Sequence, residues 1–207
     1  PRSSHCSSSA ASDVYKRQEY GIYSTLVAHK LTNLGIAYGK LDDQAKKRDM
    51  LERALAIKVW AYGHDHVNVA QTLMNLGNAY MGLGDYAKQR DVQERALAIQ
   101  EREYGSDHAQ VAITLNNLGL AYAELGDHAK ERDMLERALA IGERAYGPDH
   151  VELASTLWNL YEANRALGDT AKQREILKRA LAINESAYGP DHSETVYCRE
   201  ALDSIRG

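Results

Sequence analysis

Apolar side chains recur along this chain at steps of three and four residues. Val69, Leu73, Leu76, Tyr80 and Leu83 fall at i, i+4, i+7, i+11 and i+14, which is one stripe of a helix with about 3.6 residues per turn. Val92, Ala96 and Ile99 make a second, shorter stripe that Leu97 widens. A strand would need strict alternation, because its successive side chains point to opposite faces. The chain therefore reads as helices, and the stripes come in pairs.

The pairs repeat. His66, His108, His150 and His192 are spaced 42 residues apart, and their surroundings keep step. The strings GHDHVNVAQTLMNLGNAY, GSDHAQVAITLNNLGLAY and GPDHVELASTLWNLYEAN align without gaps, and residues 24–63 form an earlier copy with an altered capping loop. A fixed period of this length signals stacked supersecondary units, each too small to cover its own apolar faces. The expected fold is all-α, an α-α superhelix of helical hairpins.

Punctuation sets the element ends. Asp107 with Gln110, Asp149 with Glu152 and Asp191 with Glu194 read as capping boxes for the first helix of a hairpin. Gly84, Gly126 and Gly168 are expected to close that helix in a left-handed conformation, with the next Asp capping the second helix. Gly63, Gly105, Gly147 and Gly189 should close the second helix in the same way. The pattern predicts helices over about 22–41, 43–61, 65–82, 85–103, 107–124, 127–145, 149–166, 169–187 and 191–205. Repeats are expected over about 22–63, 64–105, 106–147 and 148–189, with a half-repeat at 190–207.

Leu76-Gly77, Ala79-Tyr80, Gly84-Asp85 and Ala96-Leu97 fall at the consensus positions of the tetratricopeptide repeat, which the chain resembles from residue 19 to about 200. The long period, the YGxDH loop and the strings TLMNLG and TLNNLG are most similar to the kinesin light chain subfamily. The resemblance implies a tetratricopeptide solenoid over residues 19–207, whose first helices line a concave groove. It also implies that Asn33, Asn75, Asn117 and Asn159, one per repeat, face that groove and hold the backbone of an extended peptide. An amide suits this task because it both donates and accepts, whatever the peptide sequence. Beside them Met74, Asn116 and Trp158, then Asn78 and Glu162, are candidate specificity positions, with Trp158 as the preferred anchor.

Two departures from the repeat pattern stand out. The small residue usual early in the second helix is replaced by Lys47, Gln89, Glu131 or Gln173, and long polar side chains there are expected to lean outward. In the last full repeat Tyr161 replaces a glycine and Asn164 a tyrosine, a pair on one helix face expected to repack together and reshape the groove.

Residues 8–18, SSAASDVYKRQ, resemble a translated transposase sequencing adapter, so residues 1–18 are expected to be adapter-derived or disordered and foreign to the fold. Glu19-Tyr20-Gly21 matches Glu103-Tyr104-Gly105, the end of a repeat, so the native sequence is expected to begin in the middle of a repeat and the chain to be a fragment.

Composition narrows the function. A formal net charge of −4 carries no basic excess, which argues against nucleic acid as partner. No apolar run is long enough for a membrane span. Cys6 and Cys198 lie far apart without ligand spacing, and a reduced, cytoplasmic setting is the default reading. No cofactor motif, nucleophile–base constellation or catalytic carboxylate pair is present, so the chain reads as a non-enzyme. The histidines are a hairpin apart, while zinc needs nitrogens at about 2.0–2.1 Å, so they read as structural. Arginines and acids repeated on the second helices read as a solvated charge ladder.

The expected function is a scaffold that binds a protein or an extended peptide segment. The alternative is the regulatory or sensor arm of a larger ATPase or enzyme. The chain is expected to be a monomer, with apolar residues of the last helix offering a route to end-to-end self-association.

Overall fold

The computed structural model describes residues 24–205. The expectations for residues 1–18, including Cys6, lie outside the described residues. The chain divides into two compact units, residues 1–83 and 84–207. The first holds α1 (24–40), α2 (Gln44–Tyr62) and α3 (Val67–Gly82). The second holds α4 (Tyr86–Tyr104), α5 (Ala109–Glu124), α6 (His128–Tyr146), a 3-10 turn (Val151–Leu153) leading into α7 (Ala154–Ala166), α8 (Thr170–Tyr188) and α9 (Ser193–Ser204). Among the described residues there is no strand.

Within each unit the core lies between successive helices. In the first, Ala28, Leu31 and Ala54 pack between α1 and α2. In the second, Leu97 of α4 meets Val111, Leu115 and Leu118 of α5 and Ala138 and Ile141 of α6. Leu153, Leu157, Ala180, Ile183 and Cys198 continue the layer through α7, α8 and α9. Each of these second-unit layers draws on three consecutive helices, so no hairpin of that unit would keep its core alone.

The caps of these first helices sit one residue later than the capping boxes predict, because the cap is the histidine. In α5 the His108 Nδ1 accepts the N–H of Gln110 at 3.1 Å; His66, His150 and His192 do the same for Asn68, Glu152 and Glu194. Each imidazole stacks on the tyrosine four residues before it, with Tyr104 and His108 centroids 4.6 Å apart. The stack orients the ring so that Nδ1 points at the helix start and accepts there. Asp107, Asp149 and Asp191 lie one residue outside the cap and cannot serve it.

The second helices begin as expected: Asp43, Asp85, Asp127 and Asp169 each accept the N–H three residues on. Their ends differ from expectation. Gly105 takes φ 85° and ψ 157°, a region essentially restricted to glycine, whereas Gly126 at the other turn type has φ 77°. In the first repeat Asp42 stands at the latter turn with φ 59°.

Lys47, Gln89, Glu131 and Gln173 do not lean outward. Gln89, Glu131 and Gln173 are buried and Lys47 half-buried. Gln89 Nε2 donates to the carbonyl of Asn117 at 3.1 Å, and Gln173 Nε2 to that of Asn164 at 3.3 Å. Gln173 thereby ties α8 to α7 within one hairpin, whereas Gln89 ties α4 to α5 of the next repeat, so these inward amides tighten the stack at this level. Glu131 instead meets His128 Nδ1 at 2.8 Å.

The outer charges of the second unit form ion pairs between repeats. Arg137 pairs with Glu101, Lys172 with Glu136 and Arg179 with Glu143, each 36 residues on. Exposed pairs of this kind contribute roughly 0–1 kcal/mol apiece.

Candidate functional site

A polar pair recurs inside the stack, and one repeat lacks it. Lys58 Nζ donates to Thr72 Oγ1 at 2.8 Å, Thr114 Oγ1 donates to Gln100 Oε1 at 2.6 Å, and Asn184 Nδ2 approaches Cys198 Sγ at 3.5 Å. Burial pushes the Lys58 ammonium below its ordinary value and the Cys198 thiol above its own. The corresponding position of the third repeat is Gly142, which has no side chain to offer. Its would-be partner, Thr156, donates instead to Asn116 Oδ1 at 3.1 Å.

The missing side chain is partly replaced by Leu153, where the earlier repeats have Val69 and Val111. A Cβ on Gly142 would meet Leu153 Cδ2 at 2.6 Å. The larger leucine reaches into the vacated space and accompanies the tight 3-10 turn that opens α7. The remaining space is a cavity of about 390 Å³ bounded by α5, α6 and α7. Ala138, Ile141, Gly142 and Leu153 line its apolar part, and Asn116, Asn117, Thr156 and Asn159 line its polar part.

Across α7 lies a second cavity of about 440 Å³, bounded by α7, α8 and α9. Trp158, Tyr188, Asn184 and Cys198 line it, and it shares Glu152, Ser155 and Asn159 with the first. Trp158 packs against Tyr161 and Tyr197 with centroid distances of 4.9 and 4.8 Å. A third cavity, of about 400 Å³, lies beside Glu131, His128, Glu162 and Arg165.

Of the candidate residues, Asn117, Asn159, Asn116 and Trp158 are brought together at the first two cavities. The side-chain amides of Asn117 and Asn159 are half-buried and make no hydrogen bond among the described residues. Asn116 is engaged, donating to the Ala112 carbonyl at 3.2 Å and accepting from Thr156. Glu162 sits at the third cavity in an ion pair with Arg165. In the first unit Asn33 is exposed and Asn75 and Asn78 are half-buried. Met74 is buried, which leaves little of it to meet a ligand.

Sequence reasoning missed Gly142, Glu152, Asn184 and Glu194. The signal was present in the alignment of repeats: Lys58, Gln100, Gly142 and Asn184 share one slot, and only Gly142 is empty there. Among the described residues no group of three or more His, Cys, Asp or Glu is placed to hold a metal ion, and no described helix is long and apolar enough to cross a membrane.

Tetratricopeptide repeat family models match residues 27–68, 68–143 and 132–185. No curated protein sequence matches. Among solved structures, a Podosopora anserina protein described as a kinesin light chain with nearly identical TPR-like repeats superposes with a TM-score of 0.77 at 20% identity, over 88% of this chain and 86% of that one. BtubC (BKLC) from P. vanneervenii superposes with a TM-score of 0.75 at 18% identity, over 96% and 80%. The apo form of RapI gives 0.61 at 18%, with this chain spanning 53% of it.

Proposed function

The chain belongs to the tetratricopeptide repeat family, whose fold commonly mediates protein–protein contact, and we propose that it is a scaffold that holds an extended peptide segment of a partner protein across α5, α7 and α9. The observation supporting this is the pair of adjoining cavities on either side of α7, edged by the hydrogen-bond-free amides of Asn117 and Asn159. An extended peptide leaves half its backbone groups unpaired, and amides that can donate and accept fit that need regardless of sequence. Trp158, which lines the second cavity and packs on Tyr161 and Tyr197, supplies a large contact area for a side chain. Scaffolds of this family are typically non-catalytic.

A random-peptide phage selection against the purified chain tests the reading. Selected peptides should bind wild type, and Asn117→Ala with Asn159→Ala should weaken binding about tenfold or more at unchanged helicity. Peptides that bind the double variant as well as wild type would overturn the groove reading.

A further inference from the structure

We propose that the segment held across α7 carries a Lys or Arg side chain, seated in the cavity between α7 and α9. The inference rests on the peptide-scaffold reading and adds the charge of the ligand.

One slot of the repeat changes character along the chain. It holds Asn68 and Gln110 in the earlier repeats and Glu152 and Glu194 in the later two. Both carboxylates line the cavity between α7 and α9, and Glu152 also lines its neighbour. Both residues are exposed, and neither carboxylate has an ion-pair partner among the described residues, whereas Glu101, Glu136, Glu143 and Glu185 on the second helices are all engaged by Arg or Lys. No Lys or Arg lines either cavity. A helix start does favour an acid, through the local dipole, but the earlier repeats make equivalent starts with neutral amides.

The rest of the cavity suits a cation as well. Trp158 and Tyr188 offer aromatic faces, which attract a guanidinium or ammonium group. Asn184 lines the same cavity at 3% exposure, and its Oδ1 has no hydrogen-bond partner, leaving a buried acceptor unmet. A cationic donor satisfies carboxylates, ring faces and a carbonyl acceptor together; an acidic or purely aliphatic side chain satisfies none of the polar groups. The adjoining Gly142 cavity, apolar at its base, takes a neighbouring aliphatic side chain of the same segment.

The probes are peptides recovered by the phage selection, each compared with versions in which its Lys is replaced by norleucine or its Arg by citrulline. Lys or Arg should be enriched at one position, and neutralising it should weaken binding about tenfold. Glu152→Gln with Glu194→Gln, which restores the chemistry of Gln110, should cause a similar loss, flatten the salt dependence and remove the preference for the charged peptide. Matched thermal melts exclude misfolding, and comparison of Lys with Arg peptides identifies the preferred cation. Peptides weakened by Asn117→Ala with Asn159→Ala but lacking a basic position, or indifferent to the Gln variants, would overturn the cation assignment while the groove reading stands. Absence of any groove-dependent peptide would overturn both.

Discussion

The hairpins α5–α6 and α7–α8 are copies of one unit, yet they solve the same packing problem differently. In the earlier copy, Gly119 lets α5 lie close to Leu135, whose side chain would stand 3.0 Å from an added Cβ. Tyr122 then spans outward to hydrogen-bond Glu94, and burial together with that bond raises its phenol to about 12. In the later copy Tyr161 occupies the glycine position and is buried against Leu177 and Leu202. Asn164, at the tyrosine position, is too short to reach outward and turns back to the Leu160 carbonyl at 2.7 Å. The aromatic ring has moved three residues along one helix face, and it now packs beside Trp158 at the candidate groove. A repeat keeps its fold while the ring is relocated, provided total volume at the interface is kept.

The comparison breaks most sharply at Tyr161. Tyr161→Gly should cost about 4 kcal/mol, because no earlier-type tyrosine is present to refill the space. Gly119→Tyr should cost about 2 kcal/mol through overpacking against Leu135. Urea unfolding measures both; losses under about 1 kcal/mol would mean the two arrangements are interchangeable.

Next comes the empty slot. Gly142→Gln reinstates the side chain found at Gln100 and should destabilise by about 2 kcal/mol through collision with Leu153. Adding Leu153→Val, the residue type of Val111, should recover about half of that, giving a non-additive double-mutant cycle. Strictly additive effects would refute the pairing of Gly142 with Leu153. Peptide binding should fall with Gly142→Gln in either background, because the cavity is filled.

The histidine caps should be equivalent between copies. His108→Ala and His150→Ala should each cost about 1 kcal/mol, the usual loss for a capping residue. A marked inequality would mean that the 3-10 start of α7 has displaced the cap.

The smallest expected effect is at Glu131, whose slot holds Gln89 and Gln173 in the flanking copies. Burial pushes the Glu131 carboxyl above its ordinary 4.5, opposed by the bond to His128. A carboxyl raised in the folded state contributes its stability fully below the unfolded value and loses it as pH rises through the folded value. Glu131→Gln stays neutral, so it should melt slightly above wild type near neutral pH, and the gap should close below about pH 4. A gap that widens in acid would contradict this assignment.

The amino-acid sequence by itself determined the helices, their pairing and the 42-residue period, because apolar spacing and turn glycines act within a few residues of chain. The resemblance to the tetratricopeptide family, rather than the period itself, made Asn117, Asn159 and Trp158 groove candidates. Tertiary structure alone decided that His108 rather than Asp107 caps α5, that Gln89 turns inward to the Asn117 carbonyl, and that Asn116 is consumed by Thr156. Those outcomes depend on a ring, an acceptor and a donor four, 28 and 40 residues away, respectively. The cavity at Gly142 belongs to the same class: an absent side chain has no periodicity of its own, and its effect exists only where neighbouring helices fail to fill the gap.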